Sequence, residues 1–253
     1  RIGVEQIQQL AAVDVEAGKA EPRRRCWSWR CDTGKPIQWL FLNPENDLLL
    51  ACGQNGASGL DTGGRLLWQR KCSDPNRLVH RATATTDGGR ICLHSSYYED
   101  ETKFLREPQV TVLGSDGALK WSVYPEERPA YLLDGGISGD GKYVAMLAGE
   151  SGQGVKDYRG GRQSGGIFWQ LGSDIWTFGE GGEQLGHSEY HSSPYRCVVS
   201  PRGGNVACGT LRGIVDVFSK SLGRTGGTRV GGPTPGMCFS PQGDYLLVGS
   251  AGV

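Results

Sequence analysis

The sequence predicts an all-β protein built from repeated four-stranded units, and three observations carry that expectation. Glycine is abundant, at 41 of 253 residues. It shows no collagen-like period and falls between β-branched, leucine and aromatic runs, the pattern of many turns joining short strands. Five segments share one layout: an apolar run, a turn rich in Pro, Gly, Asp or Asn, and a second apolar run ending at small residues. Their turns recur at intervals of roughly 40 to 60 residues, the spacing of blades or arrays rather than of one irregular sheet. Residues 1–253 need form only one domain.

The five hairpins are WLFLNPENDLLLACG, RATATTDGGRICLHS, GGISGDGKYVAMLAG, RCVVSPRGGNVACGT and MCFSPQGDYLLVGS, with turns beginning at Asn43, Thr86, Ser138, Ser200 and Ser240. Between them a second pattern recurs. LDTGGRLLW (Leu60 to Trp68) and VLGSDGALKW (Val112 to Trp121) each read as a strand end, a glycine turn and a strand closing on Trp, and Val215 to Val230 is a looser copy. Each unit thus has four strands, A and B around the first turn, C and D around the second. Set around an axis, such units make a β-propeller. The last hairpin lacks strands C and D. LAAVDVEAGKA (Leu10 to Ala20) reads as a C strand and RRRCWSWRC (Arg23 to Cys31) as a D strand. These N-terminal strands are expected to complete the last blade and leave no open sheet edge. A piece cut from a longer propeller is the alternative.

Composition sets limits on function. With 27 basic and 27 acidic residues the formal charge is zero, so no overall field would gather polyanions, and nucleic acid is not an expected partner. The run Arg23-Arg24-Arg25 reads as cover for a strand edge. No apolar stretch approaches the roughly 20 residues that span a bilayer, and no signal-peptide pattern follows Arg1. The eight cysteines include no adjacent pair and no CxxC. Cys52, Cys92, Cys197, Cys208 and Cys238 sit in apolar strand positions, where cysteine acts as a small buried hydrophobe, so they read as reduced thiols in a cytoplasmic protein. Cys26 and Cys31, flanking Trp27 and Trp29, are the pair at which a bridge would be sought first.

Ser240-Pro241-Gln242-Gly243-Asp244 followed by Tyr-Leu-Leu-Val-Gly-Ser resembles the A–B hairpin of bacterial WD-repeat-like propellers. Leu60-Asp61-Thr62-Gly63 with Leu67-Trp68 resembles the turn and Trp of quinoprotein-like (PQQ-like) propeller repeats. The resemblance covers most of the chain and implies the fold. The Trp-Asp dipeptide and Gly-His pair of well-kept WD repeats are absent. The quinoprotein resemblance would imply a vicinal Cys pair, a stacking Trp and carboxylate-bound calcium. No Cys-Cys occurs, and Trp27, Trp68 and Trp121 read as blade-to-blade packing, so no cofactor is expected.

In an up-and-down blade the A–B and C–D turns share one face, and the B–C and D–A connections share the other. The length variation falls on the second face, in Ser95 to Gln109 and Gly149 to Gly166. Long loops on a rigid scaffold are where binding develops, so Tyr97, Tyr98, Lys103, Phe104, Arg106, Tyr158 and Arg159 are the expected contact residues. His94, His187 and His191 are expected near the same face, with Tyr190 and Tyr195 helping His187 and His191 to line a pocket. His187 and His191 have the spacing of metal ligands on a helix, but in a loop residues i and i+4 share no face, so no metal is expected. A hydrolase would need a nucleophile elbow, and no Gly-x-Ser-x-Gly stands between a strand and a helix. Glu150 with Asp157, or Glu99 with Asp100, could pair as in glycosidases but read as solvated loop acids. Phe168, Trp169, Trp176 and Phe178 alternate as two core strands. The sequence therefore reads as a non-catalytic interaction module for a protein or peptide partner, with room for a small polar ligand. The alternative is an enzyme, a hydrolase or a quinoprotein-type oxidoreductase, using the same face.

Overall fold

The computed structural model describes residues 9–13, 27–32, 37–54, 56–99, 104–125, 130–150, 173–190 and 194–250. Strands β1 (Gln9–Val13) and β2 (Trp27–Asp32) form a two-stranded antiparallel sheet. Four sheets of four antiparallel strands follow in chain order. Blade 1 holds β3 (Ile37–Asn43), β4 (Leu48–Gly53), β5 (Gly56–Leu60) and β6 (Leu66–Lys71). Blade 2 holds β7 (Arg77–Ala84), β8 (Arg90–Glu99), β9 (Phe104–Gly114) and β10 (Leu119–Val123). Blade 3 holds β11 (Ala130–Ile137), β12 (Val144–Glu150), β13 (Ser173–Phe178) and β14 (Gln184–Tyr190). Blade 4 holds β15 (Pro194–Val199), β16 (Asn205–Thr210), β17 (Ile214–Ser219) and β18 (Arg224–Arg229). A last hairpin pairs β19 (Gly236–Phe239) with β20 (Leu246–Gly249). The architecture is a β-propeller of four-stranded blades. The innermost strands β3, β7, β11, β15 and β19 pack consecutively against one another.

Among the described residues the expected pairing of the N-terminal strands with the final hairpin is not formed. β1–β2 and β19–β20 are separate two-stranded sheets. β1 and β2 pair across a short connection, whereas joining the final hairpin at the second edge of β1 would close a far longer loop, at a greater cost in chain entropy.

The A–B turns explain why the hairpins were legible. At four of the five turn starts a hydroxyl accepts the N–H five residues on: Thr85 from Arg90 at 3.0 Å, Ser138 from Tyr143 at 3.1 Å, Ser200 from Asn205 at 3.0 Å and Ser240 from Tyr245 at 3.1 Å; in blade 1 Asn43 Oδ1 accepts the Glu45 N–H at 3.3 Å instead. In blade 2 the turn therefore begins at Thr85, one residue before Thr86. Successive turns are also linked. Asn43 Nδ2 donates to the Thr85 carbonyl at 2.9 Å, Thr86 N–H to Gly139 O at 3.0 Å and Asp140 N–H to Pro201 O at 3.3 Å. These links put the A–B turns on one face, as expected.

The three larger apolar cores are seams between neighbouring blades. Leu50, Cys52, Ile91, Leu93 and Leu113 fill the first seam, Cys92, Val112, Met146, Trp176 and Phe178 the second, and Leu147, Ile175, Cys197, Val206 and Phe218 the third. The outer rim of the first two seams is closed by one repeated device. Trp68 Nε1 donates to Ser115 O at 2.9 Å and Trp121 Nε1 to Glu180 O at 2.8 Å, each reaching the next blade's C–D turn. Both rings lie against a turn glycine with positive φ, Gly117 and Gly182, where a Cβ would come within 2.7 and 2.9 Å of the indole. The Trp residues thus pack blade on blade, as read from the sequence. In the third seam the parts are exchanged. Gly186 stands at the Trp position, Leu222 stands at the turn-glycine position with φ 65°, and the Lys220 carbonyl accepts from the Tyr143 and Thr177 hydroxyls at 2.5 and 3.1 Å.

Cys52, Cys92, Cys197 and Cys208 are buried free thiols, as expected, while Cys238 is exposed. It lies on β19, in the final two-stranded sheet, whose faces remain largely open.

Candidate functional site

The B–C and D–A connections lie opposite the linked turns, and blade 2 is the blade that extends on this side. β8 and β9 run for 10 and 11 residues, against 5 in β10. What reads as a loop from Ser95 to Gln109 is therefore largely a two-stranded ribbon. Its register sets Tyr97 opposite Arg106, Tyr98 opposite Leu105 and Glu99 opposite Phe104. Four expected contact residues, Tyr97, Tyr98, Phe104 and Arg106, are thereby brought onto neighbouring rungs. Aromatic and β-branched residues favour extended pairing over open loop, which is why they continue the strands. Lys103, Tyr158, Arg159 and His191 lie outside the described residues, as do Phe168 and Trp169.

The other expected liners are not part of this ribbon. His187 is in strand β14 rather than in a loop, stacked on Trp176 at 4.9 Å between centroids with Nε2 3.2 Å from Asp174 Oδ1. Tyr190 is buried in the third seam. Its hydroxyl donates to Asp216 Oδ2 at 2.7 Å, its ring meets Phe218 edge-on, and Arg224 clamps the other Asp216 oxygen at 2.8 Å. Burial, with the Asp216 carboxylate beside it, holds the Tyr190 hydroxyl protonated. Tyr195 lies in β15. His94 is buried inside β8, its ring filling the space beside Gly135, with Nε2 3.2 Å from Cys92 Sγ. Burial, aided by the Arg81 charge, lowers its pKa to about 3, so the ring is neutral.

On the inner strands one register position carries charge. Arg81, Asp134 and Arg196 each stand four residues before their turn hydroxyl. Asp134 is buried, 2.5 Å from Arg81 Nη1 and 3.8 Å from Arg196 Nη1, and accepts the Cys197 N–H at 2.9 Å. Burial pushes its carboxyl above the usual range although both guanidinium groups pull the other way. Arg81 also lies over the Trp39 ring at 5.0 Å. This is a structural ion cluster in which one buried carboxylate is shared by two guanidinium groups. Among the described residues no group of three or more His, Cys, Asp or Glu could hold a metal ion, and no helix is long and apolar enough to cross a membrane.

Beside the base of the ribbon the first seam opens into a cleft of about 240 Å³. One wall is the end of β6 and the chain after it, with Arg70, Lys71 and Cys72. The other is blade 2, with Ser95, Gln109, Thr111 and Ser122 above Val79 and Leu93, and Arg77. The polar wall is internally bonded: Gln109 Nε2 donates to Ser122 Oγ at 2.7 Å, and Thr111 Oγ1 and Ser122 Oγ are 2.9 Å apart. Arg77 is buried, its fork held by the Glu107 carbonyl at 3.0 Å and Glu107 Oε2 at 3.1 Å, with Tyr124 5.2 Å from the guanidinium carbon. Burial pushes the Cys72 thiol up against the opposing Arg77 and Arg70 charges, so it is a neutral thiol and a poor nucleophile. Sequence reading missed this cleft. The alternation Trp68, Arg70, Cys72 down one strand face was its one local sign.

No protein-family model matches the chain, and no curated protein matches it. Among solved structures it is similar to Kuenenia stuttgartiensis hydrazine synthase, at 13% identity and a TM-score of 0.67, over 96% of this chain and 74% of that one. At that identity the likeness speaks to the fold, a β-propeller, and to nothing finer.

Proposed function

We propose that the protein is a non-catalytic interaction module, a propeller of the WD-repeat-like or PQQ-like kind, that takes a protein or peptide partner on its B–C face through the β8–β9 ribbon. The observation that carries this reading is the register of the ribbon, with Tyr97 opposite Arg106 and Glu99 opposite Phe104 beyond the last rung of β10 at Val110. Tyr and Arg are common interface anchors because they offer large contact area and organised hydrogen bonding for few free rotors. A rigid ribbon further lowers the ordering cost of binding. Cys52, Cys72, Cys92, Cys197, Cys208 and Cys238, all free thiols, suit a cytoplasmic setting.

The test is a photo-crosslinking residue at Tyr98 in the full chain, with a second form in which residues 99–104 are replaced by a two-residue turn. The same cross-linked partner should bind the parent chain in purified form and lose at least about tenfold in affinity for the shortened one, with the melting temperature kept. Equal affinity for the two forms would move the contact surface elsewhere.

A further inference from the structure

The cleft in the first seam has a definite origin. Counted from the C–D turn, Thr111 and Ser122 occupy in blade 2 the cross-strand pair that Trp176 and His187 occupy in blade 3. In blade 3 that pair is a stacked Trp and His, and Trp176 fills the second seam. In blade 2 it is two small hydroxyl residues, so the same space in the first seam is left open. The facing strand differs in the same sense. Trp121 and Val123 pack into the second seam, whereas at the matching positions of β6 Trp68 is followed by Arg70. An apolar space has become a polar one on both walls.

Its charge is one-sided. Arg70, Lys71 and Arg77 line the cleft, and no carboxylate does. Glu107 pairs with Arg77 from outside the lining, and Asp74 is occupied in its own turn, where Oδ1 accepts the Asn76 N–H at 2.8 Å. Arg70 and Lys71 have no ion-pair partner among the described residues. Arg77, 3% exposed, keeps a buried Nε with no hydrogen-bond partner among them. A guanidinium with no ion-pair partner, set beside a concave wall of hydroxyl and amide groups and with a second cation on the same strand end, attracts charge-assisted hydrogen-bond acceptors, the strongest class of polar partner. The volume lies below the roughly 300–1,000 Å³ of drug-sized sites.

We propose that this cleft binds a small oxyanion-bearing ligand, a carboxylate or a phosphate ester, with Arg70 meeting the anionic group, Lys71 on the exposed side of the same strand adding to the local positive charge, and the Ser95–Gln109–Ser122–Thr111 wall meeting its neutral polar part. The site is independent of the ribbon's contact with a partner. Shortening the ribbon at residues 99–104 leaves every cleft residue in place, so the two proposals fail separately.

Titration of the full chain with succinate, and separately with inorganic phosphate, tests it by calorimetry at low and at moderate salt. At least one of them should bind saturably and more weakly as salt rises, and which one does so tells the carboxylate from the phosphate source. The double variant Arg70→Glu, Lys71→Glu should lose about tenfold or more in affinity, while its ligand-free melting temperature stays near that of the parent. Thr111→Trp should fill the space and abolish binding without any change of charge. If neither oxyanion saturates, or if the charge-reversed variant binds as well as the parent, the proposal is wrong. It is equally overturned if an acidic peptide binds where both free oxyanions do not, since the cations would then belong to a macromolecular contact.

Discussion

The Leu222 side chain reaches within 3.4 Å of where a Cβ on Gly186 would stand, so that one seam holds a leucine on its turn and a glycine on its strand where the other two hold a glycine on the turn and a tryptophan on the strand. In each seam one large side chain meets one glycine, and the side that supplies the large residue differs. Gly186→Trp alone should therefore overpack the third seam at a cost of about 1–3 kcal/mol. Leu222→Gly alone removes a buried leucine, about 2–5 kcal/mol, offset in part by release of a left-handed backbone. Together the two changes rebuild the arrangement of the first two seams. Chemical denaturation should give a favourable coupling of about 1–3 kcal/mol in the double-mutant cycle. Simple additivity would show that the exchange has no energetic meaning.

His94 makes the fold sensitive to acid. Its pKa of about 3 in the folded chain lies below the ordinary value of 6.5, so between those limits the unfolded chain binds the extra proton. Its contribution to stability is complete above pH 6.5 and is lost as pH falls toward 3. His94→Gln should flatten the fall in unfolding free energy between pH 6.5 and 4.5 relative to the parent. Parallel pH profiles for the two proteins would exclude this origin.

Asp134 is the acceptor for two guanidinium groups and one N–H from neighbouring inner strands. Asp134→Ala should cost about 3–5 kcal/mol, because it leaves Arg81 and Arg196 without their carboxylate. Asp134→Asn keeps an acceptor for the Cys197 N–H and should cost less. Urea denaturation of the two variants side by side reads the difference, and equal losses would mean that charge compensation dominates over that hydrogen bond.

Thiol labelling followed by peptide mapping should separate the cysteines by position. Cys238 should react first and Cys72 slowly, while Cys52, Cys92, Cys197 and Cys208 should react only after denaturation, since they are buried and desolvation keeps Cys52 and Cys92 as thiols. Rapid native labelling of Cys92 would contradict the packing of the second seam.

Much of the fold was legible because its signals are local. A hydroxyl at the turn start and a glycine three residues on, as in Ser138 to Gly141, form their hydrogen bonds within one short stretch. Trp68 and Trp121 were readable as packing residues because they recur at one distance from a glycine turn. Properties set by distant segments were not readable. Tyr190 looks like a loop residue until Asp216 and Arg224 arrive from the next blade. Acidic residues around Glu99 suggested a loop, yet pairing with Phe104 extends the strands instead. The cleft exists only because Thr111 and Ser122, neighbours across a sheet, are both small, and nothing in either stretch alone announces that. Cys238 sits in an apolar run, but burial requires a covering sheet, which sequence pattern does not specify.

Residues 104–109 of β9 run past the end of β10 and so present backbone on one side to no described strand. Such an edge would ordinarily template addition of a strand from another molecule. Here Glu107 turns the backbone into the left-handed region at φ 52°, and Pro108 supplies no N–H. With Arg77 fastened to the Glu107 carbonyl, the edge is denied both the straight course and the donors that fibrous stacking needs. A strand added from another molecule would therefore find along residues 104–109 neither a straight course nor a complete row of donors.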